Sequence, residues 1–135
     1  GPFGVTCLDK DTCFAFNGTQ FQANSYVYFT TNATQGKAST WTKATLPSGF
    51  ATSTDITIAA IFFAPDKTHG WAVGNNSRKP MLLRTTDAGR TWSDISGQVT
   101  ALATSDLVNG FALDANRIWL VGRYGFVGTT GSAQN

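Results

Sequence analysis

Thr85-Thr86-Asp87-Ala88-Gly89-Arg90-Thr91-Trp92 decides how this chain is read. The octet fits Ser/Thr-x-Asp-x-Gly-x-Thr-Trp at every specified position, and the combination has a mechanical meaning at the tip of a β-hairpin. The Asp87 carboxylate can accept hydrogen bonds from the backbone amides of its own turn. Gly89 supplies the positive φ that the reversal demands, and Thr91-Trp92 restart a strand with an aromatic anchor. The octet speaks to fold more than to function.

A hairpin of this kind recurs in repeat proteins at intervals of roughly 40 to 50 residues, so further copies are expected. Ahead of the octet runs Gly70-Trp71-Ala72-Val73-Gly74, then a polar loop, then Met81-Leu82-Leu83-Arg84. Arg117-Ile118-Trp119-Leu120-Val121-Gly122 repeats the first of these elements near the C-terminus. Phe126-Val127-Gly128-Thr129-Thr130-Gly131 looks like another octet breaking off as it begins. At the N-terminus Cys13-Phe14-Ala15-Phe16-Asn17 takes the same slot, and Tyr26 to Asn32 leads through a longer turn without aspartate to Ser39-Thr40-Trp41. Trp41 and Trp92 lie 51 residues apart, and Trp71 and Trp119 lie 48 apart.

These residues resemble the Asp-box (BNR-type) repeat of β-propellers. They look like the repeats of photosystem II stability/assembly factors and of secreted neuraminidase-repeat and sortilin-like proteins. The resemblance implies an all-β chain made of propeller blades of four antiparallel strands. It implies about two and a half to three blades of a partial ring: blade 1 at about 3–50, blade 2 at about 56–100 and an incomplete blade 3 at about 101–131. Thr85, Asp87, Gly89, Thr91 and Trp92 would be its structural residues. Trp41 and Trp92 are expected to anchor their hairpins, and Trp71 and Trp119 to lie in the core.

Composition agrees with an all-β chain. Of the 135 residues 41% are apolar and only 13% charged, and turn formers are abundant. No segment keeps a helical apolar period over ten residues, and Ile58-Ala59-Ala60-Ile61-Phe62-Phe63 suits a strand covered on both faces. No apolar run approaches the length of a membrane span. A net charge of +2 is too small to imply a nucleic-acid partner. Cys7 and Cys13 frame the first hairpin and can come within disulfide range. The alternatives are unpaired core thiols or a metal, although His69 is the only histidine and no other cysteine exists. Sequons at Asn17, Asn32 and Asn75 fall in expected loops and make those asparagines glycosylation candidates. Together with the cysteine pair and low charge they favour a secreted or extracytoplasmic protein. Gly1-Pro2 reads as the scar of a mature or trimmed chain.

Catalytic machinery is sought and not found. A sialidase-like site resembles an arginine triad with a tyrosine–glutamate pair, and this chain has no glutamate. The aspartates sit in turn-like contexts, and no Gly-x-Ser-x-Gly elbow serves His69. No catalytic residue, cofactor or metal is expected. Binding is left: the loops carrying Arg78, Lys79, Arg123 and Tyr124 share one end of the blades, where cations beside an aromatic can grip an anionic peptide or a sugar. The same residues also suit plain solvated loops. The expectation is therefore a non-enzymatic binding or assembly module with a protein or glycan ligand. A lectin, a glycoside hydrolase fragment and a photosystem II assembly factor-like protein are its rivals. A terminal blade leaving about 400 Å² of apolar surface wet would forgo about 10 kcal/mol of burial. Self-association, a second chain or a larger parent from which this piece was cut is therefore expected to complete the ring.

Overall fold

The computed structural model describes residues 4–17, 25–99 and 106–130. They form three antiparallel sheets, each built from strands in chain order. Sheet 1 holds β1 (Gly4–Cys7), β2 (Cys13–Asn17), β3 (Tyr26–Thr30) and β4 (Thr42–Lys43). Sheet 2 holds β5 (Ile56–Phe63), β6 (Gly70–Asn76), β7 (Lys79–Thr85) and β8 (Ser93–Asp94). Sheet 3 holds β9 (Leu107–Asp114), β10 (Arg117–Gly122) and β11 (Gly125–Thr130). The only helical turns among the described residues are short 3₁₀ pieces at Ala33–Ala38, Phe50–Thr52 and Ser96–Gln98.

Alternation of side chains along each strand makes two cores, one on either face of sheet 2. Phe14, Phe16 and Val27 of sheet 1 meet Ile58, Ile61, Met81 and Leu83 of sheet 2 in the first. Trp71, Val73 and Leu82 meet Leu107, Ile118 and Leu120 of sheet 3 in the second. The long apolar strand β5 is therefore covered on both sides, as its sequence predicts. It reaches this by a bulge between Ile58 and Ala60, which shifts the alternation by one residue. Ile56 and Ile58 face the first core before the bulge, and Ile61 and Phe63 after it. Gly74 pairs with Ile58 beside the bulge, where a Cβ would drive into the Thr57 carbonyl oxygen.

The 85–92 turn is hydrogen-bonded as its residue types predict. Asp87 Oδ1 accepts from the N–H groups of Arg90 (3.1 Å) and Thr91 (2.9 Å) and from Thr85 Oγ1 (2.8 Å). Thr91 Oγ1 donates to Asp87 Oδ2 at 2.6 Å, and Gly89 turns the chain at φ 85°. Trp92 is buried, donates its Nε1–H to the Gly89 carbonyl and meets the Phe63 ring edge-on. The tip then grips sheet 1. The Arg90 guanidinium lies 4.3 Å from the Phe29 ring centre, and Gly89 rests on the Phe14 ring so closely that a Cβ would overlap it. The backbone of Thr45 donates to Arg90 O and accepts from Trp92 N–H, both at 2.9 Å.

In sheet 1 the equivalent turn is longer, and Asn32 does the work of the aspartate. Its Oδ1 accepts from Thr30 Oγ1 (2.7 Å) and from the Thr40 N–H (2.9 Å). Trp41 departs from expectation. It is 41% exposed, with its Nε1–H donated to Ser39 Oγ. Register places it where Trp92 stands, on the side that in sheet 2 faces sheet 1, and no described sheet covers that side of sheet 1. Trp119 departs as well. It is half-exposed beside Phe111 because it lies on the face of sheet 3 turned away from sheet 2. Cys7 and Cys13 oppose each other across β1 and β2 and form a disulfide.

Candidate functional site

One end of the sheets gathers the β6–β7 and β10–β11 turns and the links from one sheet to the next. Ser77 N–H bonds to Asp55 O of the first link, and Arg123 N–H bonds to Asp106 O of the second. Asn76 pairs with Lys79, so Ser77 and Arg78 alone make the hairpin loop. Both take left-handed φ values, 53° and 67°, as a tight two-residue hairpin of primed type demands. That geometry pushes Arg78 and Lys79 into solvent. Lys79 lines a cleft of about 280 Å³ with Asn76, Ser77, Pro80, Asp94 and Ser96. An amide, two hydroxyls, an ammonium and a carboxylate around one hollow suit the polar groups of a peptide. A second cleft, of about 310 Å³, opens at the same end between Lys43, Leu46, Ser48 and Thr52. Phe50 of the same link is buried in the first core.

Arg123 and Tyr124 sit on the neighbouring hairpin. Arg123 Nη2 donates to the Asp106 carboxylate at 2.9 Å, and Tyr124 is 85% exposed. Among the described residues no hydrogen bond, ion pair or ring contact joins this pair to Arg78 and Lys79. The four stand as two projections of one end.

The aspartates are committed to local geometry. Asp9 accepts from the N–H groups of Asp11 and Thr12 and from Lys67 Nζ at 3.0 Å, which together hold its carboxyl well below the usual range. Asp66 caps the turn that carries His69, whose Nδ1 lies 2.6 Å from its Oδ2. Asp94 takes the N–H of Ser96, and Asp114 takes the Arg117 guanidinium, which lowers its carboxyl. Such bonds are capping chemistry. Among the described residues no three His, Cys, Asp or Glu side chains come together as a metal site. No helix there is long and apolar enough to cross a membrane.

Two of the sequon asparagines lie in strands, not loops, because β2 and β6 run on into residues that read as breakers. Asn17 ends β2 and is buried, while Asn75 lies within β6 with its Oδ1 out of water. Sequence reasoning also passed over Arg84. Its signal is a lone cation closing the apolar run Met81-Leu82-Leu83. It lines a cleft of about 270 Å³ at the opposite end of sheet 2, and its buried Nε has no hydrogen-bond partner among the described residues. Burial lowers its pKa.

No family model matches this chain, and no curated protein matches it. A solved structure described as YCF48 bound to D1 peptide does, with a TM-score of 0.72 at 21% sequence identity. The match covers 99% of this chain and 38% of that one. The fold is that of β-propeller blades. The three sheets are consecutive blades, and the present chain spans well under half the length of the propeller chain it is similar to.

Proposed function

We propose that this chain is a non-enzymatic binding or assembly module of Asp-box propeller type, working outside the cytoplasm and taking a protein segment as its ligand. The observation that carries the reading is the polar cleft around Lys79, open at the end where blade-to-blade links and hairpin tips converge. Two further facts support it. Most of the aspartate carboxylates are bonded to turn amides, hydroxyls or cations, and the similar YCF48 structure is described with a peptide bound. The ring is completed by further blades against the outer faces of sheets 1 and 3.

Screening the chain against arrayed peptides and arrayed glycans tests this. Peptide binding that weakens at least tenfold in Lys79→Ala is expected. Glycan binding without any peptide signal overturns the ligand class, and turnover of chromogenic glycosides overturns the non-enzymatic reading.

A further inference from the structure

The link from sheet 1 to sheet 2 walls a cleft that strand register repeats in the next blade. Tyr28 pairs with Lys43 as Leu83 pairs with Asp94. Ala44 N–H bonds to Val27 O at 2.8 Å as Ile95 N–H bonds to Leu82 O at 2.9 Å. Three residues back from Tyr28 and from Leu83 stand Ser25 and Pro80. The cleft of about 310 Å³ lined by Ser25 and Lys43 is therefore the sheet 1 form of the cleft of about 280 Å³ lined by Pro80 and Asp94. Sheet 2 has a described sheet on each face, and its cleft is open all the same. The position is thus one that flanking blades leave open.

Two features set the sheet 1 cleft apart. Its charge is of one sign: Lys43 stands where Asp94 stands in sheet 2, and no carboxylate lines the cleft among the described residues. Nor does any hydrogen bond or ion pair there hold the Lys43 ammonium. The second feature is a hydroxyl without a partner. Ser25 is wholly buried, and its Oγ makes no hydrogen bond among the described residues. A buried hydroxyl left unbonded costs stability, and the fold does not require one here, since proline holds the corresponding place in sheet 2. Ser48 adds an exposed hydroxyl, and Leu46 and Pro47 an apolar wall. That wall is fixed by Phe50, buried in the first core with its N–H bonded to Pro47 O at 3.1 Å. An ammonium, two donor hydroxyls and an apolar wall together match a carboxylate on a short methylene stem. We propose that this cleft is a subsite for an aspartate or glutamate side chain of the protein segment bound at this end. The inference rests on the reading of that ligand as a protein segment. The Lys79 cleft, which carries both a cation and a carboxylate, has no such preference.

The probes are end-blocked tetraglutamate and tetraglutamine peptides, titrated into the isotope-labelled whole chain and followed by NMR amide shifts. Tetraglutamate is expected to bind about tenfold more tightly than tetraglutamine and to shift the Ser25 and Lys43 amides. Lys43→Asp, which copies sheet 2, should abolish the preference, whereas Lys79→Ala should leave it in place. Ser25→Ala should weaken tetraglutamate binding without lowering the urea midpoint, a pairing that a purely structural serine would not show. The unaltered chain tests the idea even where a variant fails to fold. Equal binding of the two peptides, binding of neither, or a preference that follows Lys79 and not Lys43 overturns the subsite. The peptide array decides the wider reading separately, since segments captured there without any acidic residue would uphold a protein ligand while this subsite fails.

Discussion

Asp87 shows how much one side chain can fix. It gathers two backbone amides and two hydroxyls with one carboxylate. Burial raises its pKa, but the Thr91 bonds and the others outweigh that and leave it lowered overall. Replacing Asp87 by alanine should cost about 1–3 kcal/mol, since bonds to a charged acceptor are the stronger kind. Asp87→Asn should cost less, because Asn32 already performs the same task in sheet 1. Urea midpoints of the two variants check both. The carboxyls of Asp9, Asp87 and Asp114 all lie below their unfolded values. Each therefore contributes stability above about pH 4, the unfolded range, and loses it as the pH falls through its folded value. Urea midpoints should be flat from about pH 7 to pH 5 and decline below about pH 4. Asp87 and Gly89 were legible in the sequence because their roles are local. Asn32 was legible too, as the residue in the aspartate's place in a longer turn, because an amide oxygen accepts as a carboxylate does.

At the level of strands, period-two alternation and turn residues were enough to place the elements. The bulge in β5 was not readable, because an all-apolar run carries no phase. Nor was the fate of the two hairpin tryptophans, which share a motif position but differ in having a described sheet to lean on. Trp92→Ala should cost about 3–5 kcal/mol, the range for a large buried aromatic, whereas Trp41→Ala should stay within about 0.5 kcal/mol. Thermal or chemical unfolding of the pair separates them. The disulfide closes a short loop between β1 and β2, so its removal in Cys7→Ser/Cys13→Ser should cost about 2 kcal/mol by loop entropy. Reduction of the unaltered chain should lower the urea midpoint by the same amount, with the two sheet cores otherwise intact.

For the molecule as a whole, the decisive fact is that a residue's burial depends on its neighbouring blade. Trp71 and Trp119 hold corresponding strand positions, yet Trp71 is wholly buried because sheet 3 covers it. On the far side of sheet 3, Phe111, Leu113 and Trp119 share an apolar face open to solvent. A pattern read along one chain records which residues are apolar and not which sheet will cover them, so Trp119 was misplaced. The same blindness applies to Arg78, Lys79, Arg123 and Tyr124: the sequence placed their two loops at one end, and only coordinates show that, among the described residues, no contact joins the two hairpins. Phe111→Ser together with Trp119→Ser should abolish concentration-dependent association while leaving the fold's circular dichroism unchanged. Sedimentation velocity over a hundredfold concentration range reads this out.

The grip of Gly89 and Arg90 on Phe14 and Phe29 also gives the protein a direction in time. Sheet 1 is translated before sheet 2, but its inner aromatic rings, Phe14 and Phe29, are capped by Gly89 and Arg90, 75 and 61 residues later. A nascent chain arrested on the ribosome before Trp92 emerges would carry those rings uncovered. Synthesis past that point seals them, so each blade is finished by its successor.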